Sequence, residues 1–243
     1  MDKTFKNTSN SEASPVGRFG GAWIPNFITA LNLFTGCVGI YFAFEGNFFA
    51  AFACIMLASV FDFLDGLAAR LLKAYSEIGK QLDSLADAVS FGVLPGALVF
   101  AVLAQSEISF YFAFVGFLIP VFSALRLAKF NVDERQTSSF FGLPTPANAI
   151  FWGGFVYSFA EVLRQHPLFL GALVVVFCLL LVSEIPMFSL KIKGFSWREN
   201  KTQYIFLAGC VVLLAVMQLD AFAPIIAWYI VLSILGNLFG KKN

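Results

Sequence analysis

Long apolar stretches separated by short polar segments run through most of this 243-residue chain. An α-helix needs about 20 mostly apolar residues to cross the hydrocarbon core of a bilayer, and stretches of that kind recur along the sequence. The pattern predicts an all-α, polytopic integral membrane bundle with about eight transmembrane helices. The predicted spans are Ile24–Phe44, Phe48–Leu72, Leu82–Leu103, Ile108–Ala128, Pro146–Leu163, Leu168–Phe188, Tyr204–Gln218 and Ala221–Leu238.

Composition excludes several other classes of protein. Hydrophobic residues make up 59% of the chain and charged residues 13%, against about 25% charged residues in soluble globular domains. A disordered or nucleic-acid-binding chain would need low hydrophobicity or a large excess of charge, but the formal net charge is only +1. We therefore expect membrane lipids around the chain and no nucleic acid partner. The four cysteines stand singly in apolar stretches, which is typical of small core residues rather than of a metal site.

The basic residues indicate how the spans are oriented. An even number of spans puts both termini on one side, and 15 of the 16 Lys and Arg residues fall on that side, with Arg164 alone opposite. Because Lys and Arg are enriched in cytoplasmic loops, we predict that the active site and both termini face the cytoplasm. The expected location is the cell (cytoplasmic) membrane. Residues 1–20 are predicted to form a flexible cytoplasmic tail, and residues 21–243 the transmembrane domain. The same-side basic residues are Lys3, Lys6, Arg18, Arg70, Lys73, Lys80, Arg126, Lys129, Arg135, Lys191, Lys193, Arg198, Lys201, Lys241 and Lys242.

Four aspartates concentrate on the second and third predicted spans. Asp62 and Asp65 are three residues apart and Asp83 and Asp87 four apart, so each pair shares one helix face. A short loop joins the two antiparallel spans, so the pairs should meet at a similar depth. An ionisable residue in a span costs at least about 2.5 kcal/mol, and four facing carboxylates repel unless divalent cations with oxygen ligands neutralise them. Taken singly, each aspartate could instead reach into the interface or pair with a nearby Lys or Arg.

The aspartates belong to a longer pattern, D-x-x-D-G-x-x-A-R-x8-G-x3-D-x3-D, over residues 62–87. Gly66 and Gly79 would let a nucleotide or a neighbouring helix approach the backbone closely, and Ala69 keeps the same face shallow. Arg70 carries a planar guanidinium that suits a pair of phosphate oxygens, at the depth where lipid phosphates lie. Helix packing alone would also explain Gly66 and Ala69. The whole pattern resembles the signature of the CDP-alcohol phosphatidyltransferases at every fixed position.

This resemblance implies a metal-dependent transfer reaction. In the family, two divalent metal ions (Mg2+ or Mn2+) hold the pyrophosphate of a CDP-linked lipid such as CDP-diacylglycerol, while an alcohol attacks the lipid-side phosphorus and CMP leaves. By matching position, Asp62 and Asp83 would bridge both metal ions and Asp65 would bind one of them. Asp87 would bind the other and act as the catalytic general base. A homodimer is also expected, because dimers are common in the family.

The CDP-lipid would be bound by residues around the aspartates. The first span begins with Asn26 and Thr29, which resemble an Asn-x-x-Thr element that contributes to nucleotide or phosphate binding in the family. The resemblance also assigns Gly66, Arg70 and Ser76 to the CDP-lipid, and Ala69 and Gly79, which leave room on the same faces, are expected at the same site.

A second set of resemblances concerns the acceptor alcohol. Residues 125–131 and 140–147 resemble two segments of the serine-using branch of the family, with a departure at Lys129, where that branch has Arg. This implies L-serine as the acceptor, bound by Arg126, Lys129 and Asn131. The basic pair could instead be ordinary cytoplasmic anchors of a span. Relatives that use glycerol phosphate, inositol phosphate or choline remain an alternative, as does an ion-coupled transporter, although transporter ion sites usually lie near the bilayer midplane.

Overall fold

The computed structural model describes residues 23–132, 140–190 and 200–239, so the predicted tail lies outside the described residues. The described part is helical apart from one two-residue antiparallel strand pair. Its elements are α1 (Trp23–Phe44), α2 (Phe48–Leu71), α3 (Glu77–Asp87), α4 (Leu94–Ala104), α5 (Leu118–Val132), β1 (Phe140–Phe141), α6 (Thr145–Gln165), α7 (Pro167–Val182), β2 (Pro186–Met187), α8 (Lys201–Met217) and α9 (Phe222–Phe239).

Five of the described segments are long and apolar enough to cross a membrane: Trp23–Phe44, Phe48–Leu71, Glu77–Ala104, Phe110–Val132 and Lys201–Leu238. The last of these contains α8 and α9, which a 3-10 turn at Gln218–Ala221 separates. Gln218 has a φ of 51°, and Gly209 of α8 packs directly against the Trp228 ring of α9, so the two helices form a hairpin. The predicted all-helical fold is confirmed, and its apolar helices are consistent with an integral membrane protein, while the number of eight crossings and the side of the termini stay predictions.

Three predicted boundaries differ from the structure. The third span is part of a continuous helix in which a π-helical turn at Ala88–Val93 joins α3 to α4. The fourth begins as a 3-10 helix, Phe110–Phe117, before α5. The sixth was expected to reach Phe188, but α7 ends at Val182. The chain becomes extended there because Pro186 cannot donate a helical hydrogen bond and β2 pairs with β1 instead.

Helix α4 lies at the centre of the bundle. Nearly every one of its residues is buried, in keeping with a helix that is apolar on all sides. It packs against α1, α6 and the 3-10 helix before α5. Close backbone approach is required at Gly96, where a Cβ would lie 2.7 Å from Pro120 and 3.0 Å from the carbonyl oxygen of Gly116. The outward faces of α1, α2 and α8 instead expose large apolar side chains, as a lipid-facing surface requires.

One end of the bundle carries the polar elements. Here α1 and α3 begin, α2 and α5 end, and α6 begins after the β1 segment. Side-chain hydrogen bonds connect elements here: Lys80 Nζ of α3 donates to the carbonyl oxygen of Asn131 in α5 (3.4 Å), and Asn237 Nδ2, near the end of α9, donates to that of Pro186 in β2 (2.6 Å). All four motif aspartates lie toward this end.

Candidate active site

Three of the four aspartates form a tight cluster. One carboxylate oxygen from each of Asp62, Asp83 and Asp87 lies within 4.8 Å of the other two. Asp87 is 8% exposed, while Asp62 and Asp83 are half-buried. Carboxylate oxygens at this spacing are the ligands that Mg2+ and Mn2+ prefer. Across residues 23–132, 140–190 and 200–239, no Lys or Arg forms an ion pair with these carboxylates, so their charge is not offset by the protein there.

Asp65 lies beside this cluster but is held differently. The Thr29 hydroxyl of α1 donates to Asp65 Oδ2 at 2.6 Å, and the same hydroxyl oxygen lies 3.0 Å from the carbonyl oxygen of Pro25. Asp65 is 6% exposed. The predicted Asn-x-x-Thr element is therefore in direct contact with the aspartate motif, although residues 29 and 65 are far apart in sequence.

A cleft of about 240 Å3 opens in front of these side chains. Most residues that the sequence assigned to the CDP-lipid line it. The lining residues are Pro25, Asn26, Thr29, Asp62, Asp65, Gly66, Ala69, Ala74, Tyr75, Ser76, Gly79, Lys80 and Asp83. The structure thus gathers parts of α1, α2 and α3 around one cavity at the polar end of the bundle.

The two motif glycines serve different purposes. At Gly79 a Cβ would lie 2.9 Å from Asn26 Oδ1 and 2.9 Å from Ser76 Oγ, so a larger residue there would have to displace these two side chains where α1 packs on α3. Ser76 also caps α3, because its Oγ accepts a hydrogen bond from the Gly79 N–H at 2.9 Å. At Gly66 a Cβ would meet only Arg70 Nη2, at 3.9 Å. Helix packing therefore does not explain Gly66, whose open space faces the cleft.

Arg70 is not among the residues that line the cleft. Its side chain is exposed, and its Nε donates to the carbonyl oxygen of Gly66 at 2.9 Å. The predicted contact of Arg70 with the CDP-lipid stays a prediction, since a long exposed side chain can reorient.

Arg126 is a buried cation near the aspartate cluster. It is 8% exposed; Nη1 donates to the Thr145 hydroxyl at 3.2 Å, and the guanidinium lies over the Phe130 ring at 5.3 Å from its centroid. Within the described ranges its Nε has no hydrogen-bond partner, and no carboxylate there comes within ion-pair distance. Asp87 and Tyr229 are near enough to interact with it electrostatically. A buried guanidinium with a free donor is suited to bind an anionic group.

The other two predicted serine-binding residues already have protein partners. Lys129 Nζ lies 3.3 Å from Glu184 Oε1, in a pair whose side chains are 40% and 69% exposed. Asn131 Nδ2 donates to the Ser84 hydroxyl at 2.8 Å and so joins the end of α5 to α3. Their contact with serine stays a prediction.

Sequence reasoning missed several polar residues of this region. Asn32 of α1 is fully buried, and its Nδ2 lies 3.5 Å from Asp87 Oδ1. Thr145 contacts Arg126, and Lys80 lines the cleft. A signal for Asn32 was present, because it continues the three-residue spacing of Asn26 and Thr29 and so shares their helix face. No comparable local signal marks Thr145, whose contact with Arg126 is long-range.

A bundle of apolar helices with a carboxylate cluster at one end is consistent with an integral membrane protein that binds metal ions and a phosphorylated ligand. The sequence profile of the CDP-alcohol phosphatidyltransferase family matches residues 22–234. This chain belongs to that family. The match includes every residue described above as part of the cluster or the cleft.

Several relatives with assigned names belong to the branch of the family that uses serine, according to those names. A Mycobacterium leprae protein named CDP-diacylglycerol–serine O-phosphatidyltransferase is 38% identical over 174 residues, which cover 68% of this chain and 57% of the relative. A Helicobacter pylori protein of the same name is 32% identical over 228 residues, covering 88% of this chain and 91% of the relative. An archaetidylserine synthase from Methanothermobacter thermautotrophicus is 36% identical over 129 residues, covering 52% and 54%.

Proposed function

We propose that this chain transfers the phosphatidyl group of CDP-diacylglycerol to the hydroxyl of L-serine and releases CMP. The observation that carries the proposal is the cluster of Asp62, Asp83 and Asp87, whose oxygens lie within 4.8 Å of one another at the edge of the cleft. The names of the relatives support serine as the acceptor.

The aspartates fit two divalent metal ions, Mg2+ or Mn2+. Asp62, Asp65, Asp83 and Asp87 would hold them, and no cation of the described protein competes for the clustered carboxylates. When bound, such ions stabilise negative charge on the pyrophosphate and on departing CMP. The cleft-lining residues of α1 to α3 hold the CDP-lipid, with Gly66 and Ala69 leaving room for it.

Asp87 is the proposed general base. It accepts the proton of the serine hydroxyl while the serine oxygen forms a bond to the lipid-side phosphorus. The phosphorus–oxygen bond to CMP breaks in the same displacement, and its electron pair leaves with CMP. Asp87 is the most buried carboxylate of the cluster and, unlike Asp62 and Asp83, does not line the CDP-lipid cleft, which favours a role toward the acceptor rather than toward the nucleotide.

Arg126 is proposed to bind the serine carboxylate. Its unpartnered Nε and its proximity to Asp87 suit a substrate that carries a hydroxyl at one end and a carboxylate at the other. Lys129 and Asn131, three and five residues further along the chain, are proposed to lie at the approach to this position.

Eight crossings, cytoplasmic termini, an active site that faces the cytoplasm and a homodimer complete the proposal. The alternation of helix ends and the distribution of basic residues support this topology. Cysteines introduced at Lys73 and Gln165, in a chain without its native cysteines, test it in intact cells. An impermeant maleimide should label position 165 only, and labelling of position 73 from outside would overturn the orientation. Light scattering of the detergent-solubilised protein measures the oligomeric state.

The activity test uses purified protein in mixed micelles with CDP-diacylglycerol, Mn2+ or Mg2+, and one alcohol at a time. Serine should give phosphatidylserine and an equal amount of CMP, and excess chelator should stop both. Glycerol phosphate, inositol phosphate and choline are the matched alternatives. CMP release with one of them but none with serine would refute serine as the acceptor while leaving the family assignment intact.

A further inference from the structure

Asn32 is a buried residue whose side-chain amide has a contact at Nδ2 but no assigned role for Oδ1 in the proposed reaction. It is 0% exposed and lies on α1, beside the carboxylate of Asp87 on α3. Its Nδ2 lies 3.5 Å from Asp87 Oδ1, but its Oδ1 has no hydrogen-bond partner among the described residues. A buried acceptor without a partner destabilises the fold, so such an atom beside the proposed general base indicates a position for a hydrogen-bond donor of a ligand.

The position of Asn32 is fixed by its surroundings. The Ser90 hydroxyl, from the π-helical turn, donates to the backbone carbonyl of Asn32 at 3.0 Å. A Cβ at Gly36, one turn further along α1, would overlap Ser90, so α1 and the π-helical turn are in close contact. Both the backbone and the amide of Asn32 are therefore held against the segment that carries Asp87, which favours a fixed binding geometry.

The proposed acceptor offers a matching donor. In serine the hydroxyl and the ammonium are attached to directly bonded carbon atoms, so a serine whose hydroxyl meets Asp87 must place its ammonium close by. The ammonium needs oxygen acceptors, and the neighbouring carboxylates are assigned to metal ions. The unpartnered Asn32 Oδ1 is a neutral acceptor beside the Asp87 carboxylate.

We propose that Asn32 is a specificity-determining residue whose Oδ1 accepts a hydrogen bond from the ammonium of the acceptor. This rests on the proposed function and deepens it: the site recognises a vicinal amino alcohol that also bears a carboxylate. Asp87 receives the hydroxyl, Asn32 the ammonium and Arg126 the carboxylate. The contact between Asn32 Nδ2 and Asp87 Oδ1 would hold the Asp87 carboxylate and the Asn32 amide side by side, so that both can bind the same small molecule.

The test compares three acceptors that differ by one group: L-serine, 3-hydroxypropanoate, which lacks the amino group, and ethanolamine, which lacks the carboxylate. The variant is Asn32→Ala, with Asn32→Ser as a second, less disruptive change. The matched control is Thr35→Val on the same helix, since Thr35 is buried and, among the described residues, its hydroxyl donates to the carbonyl of Leu31 alone, at 2.7 Å. CMP release gives KM and kcat, and competitive inhibition of serine transfer gives the affinity for any acceptor that turns over too slowly.

Loss of a hydrogen bond to a charged group should raise the KM for serine and for ethanolamine by about 10- to 100-fold in Asn32→Ala. The KM and kcat for 3-hydroxypropanoate, which has no ammonium, should change by less than about threefold. The variant should therefore lose the preference for serine over 3-hydroxypropanoate. CDP-diacylglycerol binding should persist, and Thr35→Val should behave as the unmodified protein.

Equal losses with serine and with 3-hydroxypropanoate in both Asn32 variants would overturn the proposal, because Asn32 would then act only on Asp87 or on folding. An unchanged KM for serine would overturn it too. These outcomes differ from a failure of the proposed function, in which the unmodified protein releases no CMP with serine but does so with another alcohol.

Discussion

The aspartate cluster and the Arg126 site are opposites in charge, and each lacks its counter-charge. Three carboxylates crowd within 4.8 Å without a Lys or Arg in ion-pair contact, while a buried guanidinium a short distance away has no carboxylate in contact, as far as the described residues show. Had the protein paired them directly, each would have lost its capacity to bind a ligand. Keeping them apart leaves one site for cations and one for an anion, at the cost of two poorly neutralised groups in the fold.

The largest expected effect comes from the cluster. Asp62→Asn should damage both CDP-diacylglycerol binding and turnover, because one of the proposed metal ligands of the cluster would be lost. Asp87→Asn keeps one oxygen but loses most of its basicity, so turnover should fall by about 100-fold or more while lipid binding weakens much less. Titrations of lipid binding and CMP release, in parallel with Mn2+, separate the two. Near-normal turnover of Asp87→Asn, or a loss of lipid binding as complete as in Asp62→Asn, would remove Asp87 as the base.

The second effect concerns the buried cation. Arg126→Lys keeps the charge but loses the planar donor fork, so the KM for serine should rise by about 10- to 100-fold with little change in CDP-diacylglycerol binding. Ethanolamine, which has no carboxylate, should be affected much less. Arg164→Lys is the control, because Arg164 Nε also has no partner in the part of the chain that the structure describes, but its Nη1 pairs with Glu161 away from the cluster. A loss of lipid binding in Arg126→Lys would place Arg126 on the nucleotide side instead.

A smaller effect is expected at Gly66. A methyl group there fits the fold, but it would occupy space in the cleft that is proposed to hold the CDP-lipid. Gly66→Ala should raise the KM for CDP-diacylglycerol several-fold, while thermal stability stays equal or rises, since alanine favours a helix by about 1 kcal/mol over glycine. Gly236→Ala on α9, where a Cβ meets nothing within 4 Å, is the matched control for Gly66, where it meets only Arg70 Nη2 at 3.9 Å. Lower stability without a change in KM would mean that Gly66 serves packing after all.

The smallest effect should come from Lys129. Its ion pair with Glu184 is largely exposed and contributes at most about 1 kcal/mol, so Lys129→Gln should change the KM for serine by about threefold or less. Glu184→Gln tests the other half of the pair. A loss as large as that of Arg126→Lys would instead mean that Lys129 contacts serine directly.

The aspartate side of the site could be predicted from the sequence because helical spacing translates directly into shared faces. Asp62 and Asp65, or Asp83 and Asp87, need only the helix repeat and a short connection to be brought together. The Arg126 side could be predicted only in part. Its residue type and depth were evident, but its partner Thr145 lies beyond the β1 segment, and no periodic pattern specifies such a contact.

Boundaries failed where the local backbone departs from the α-helix. The end of α7 depends on pairing between residues 140–141 and 186–187, which is a tertiary contact that hydrophobicity does not reveal. The 3-10 start of the fourth span is equally apolar in either helix type, so composition could not distinguish them. Asn32 was overlooked although its spacing from Asn26 and Thr29 was visible, because only the contact with Asp87 on another helix shows what a single amide in an apolar span does.

The π-helical turn at Ala88–Val93 also has a rotational consequence. Each residue of an α-helix advances about 100° around the axis, and a π turn accommodates one residue more than an α turn does. The turn thus rotates the faces of α4 about the helix axis relative to those of α3. Helix α3 carries carboxylates on one face, whereas α4 is apolar on all sides. Each helix can therefore meet its own neighbours in the best orientation, and the direction of the carboxylates is decoupled from the packing of the bundle centre.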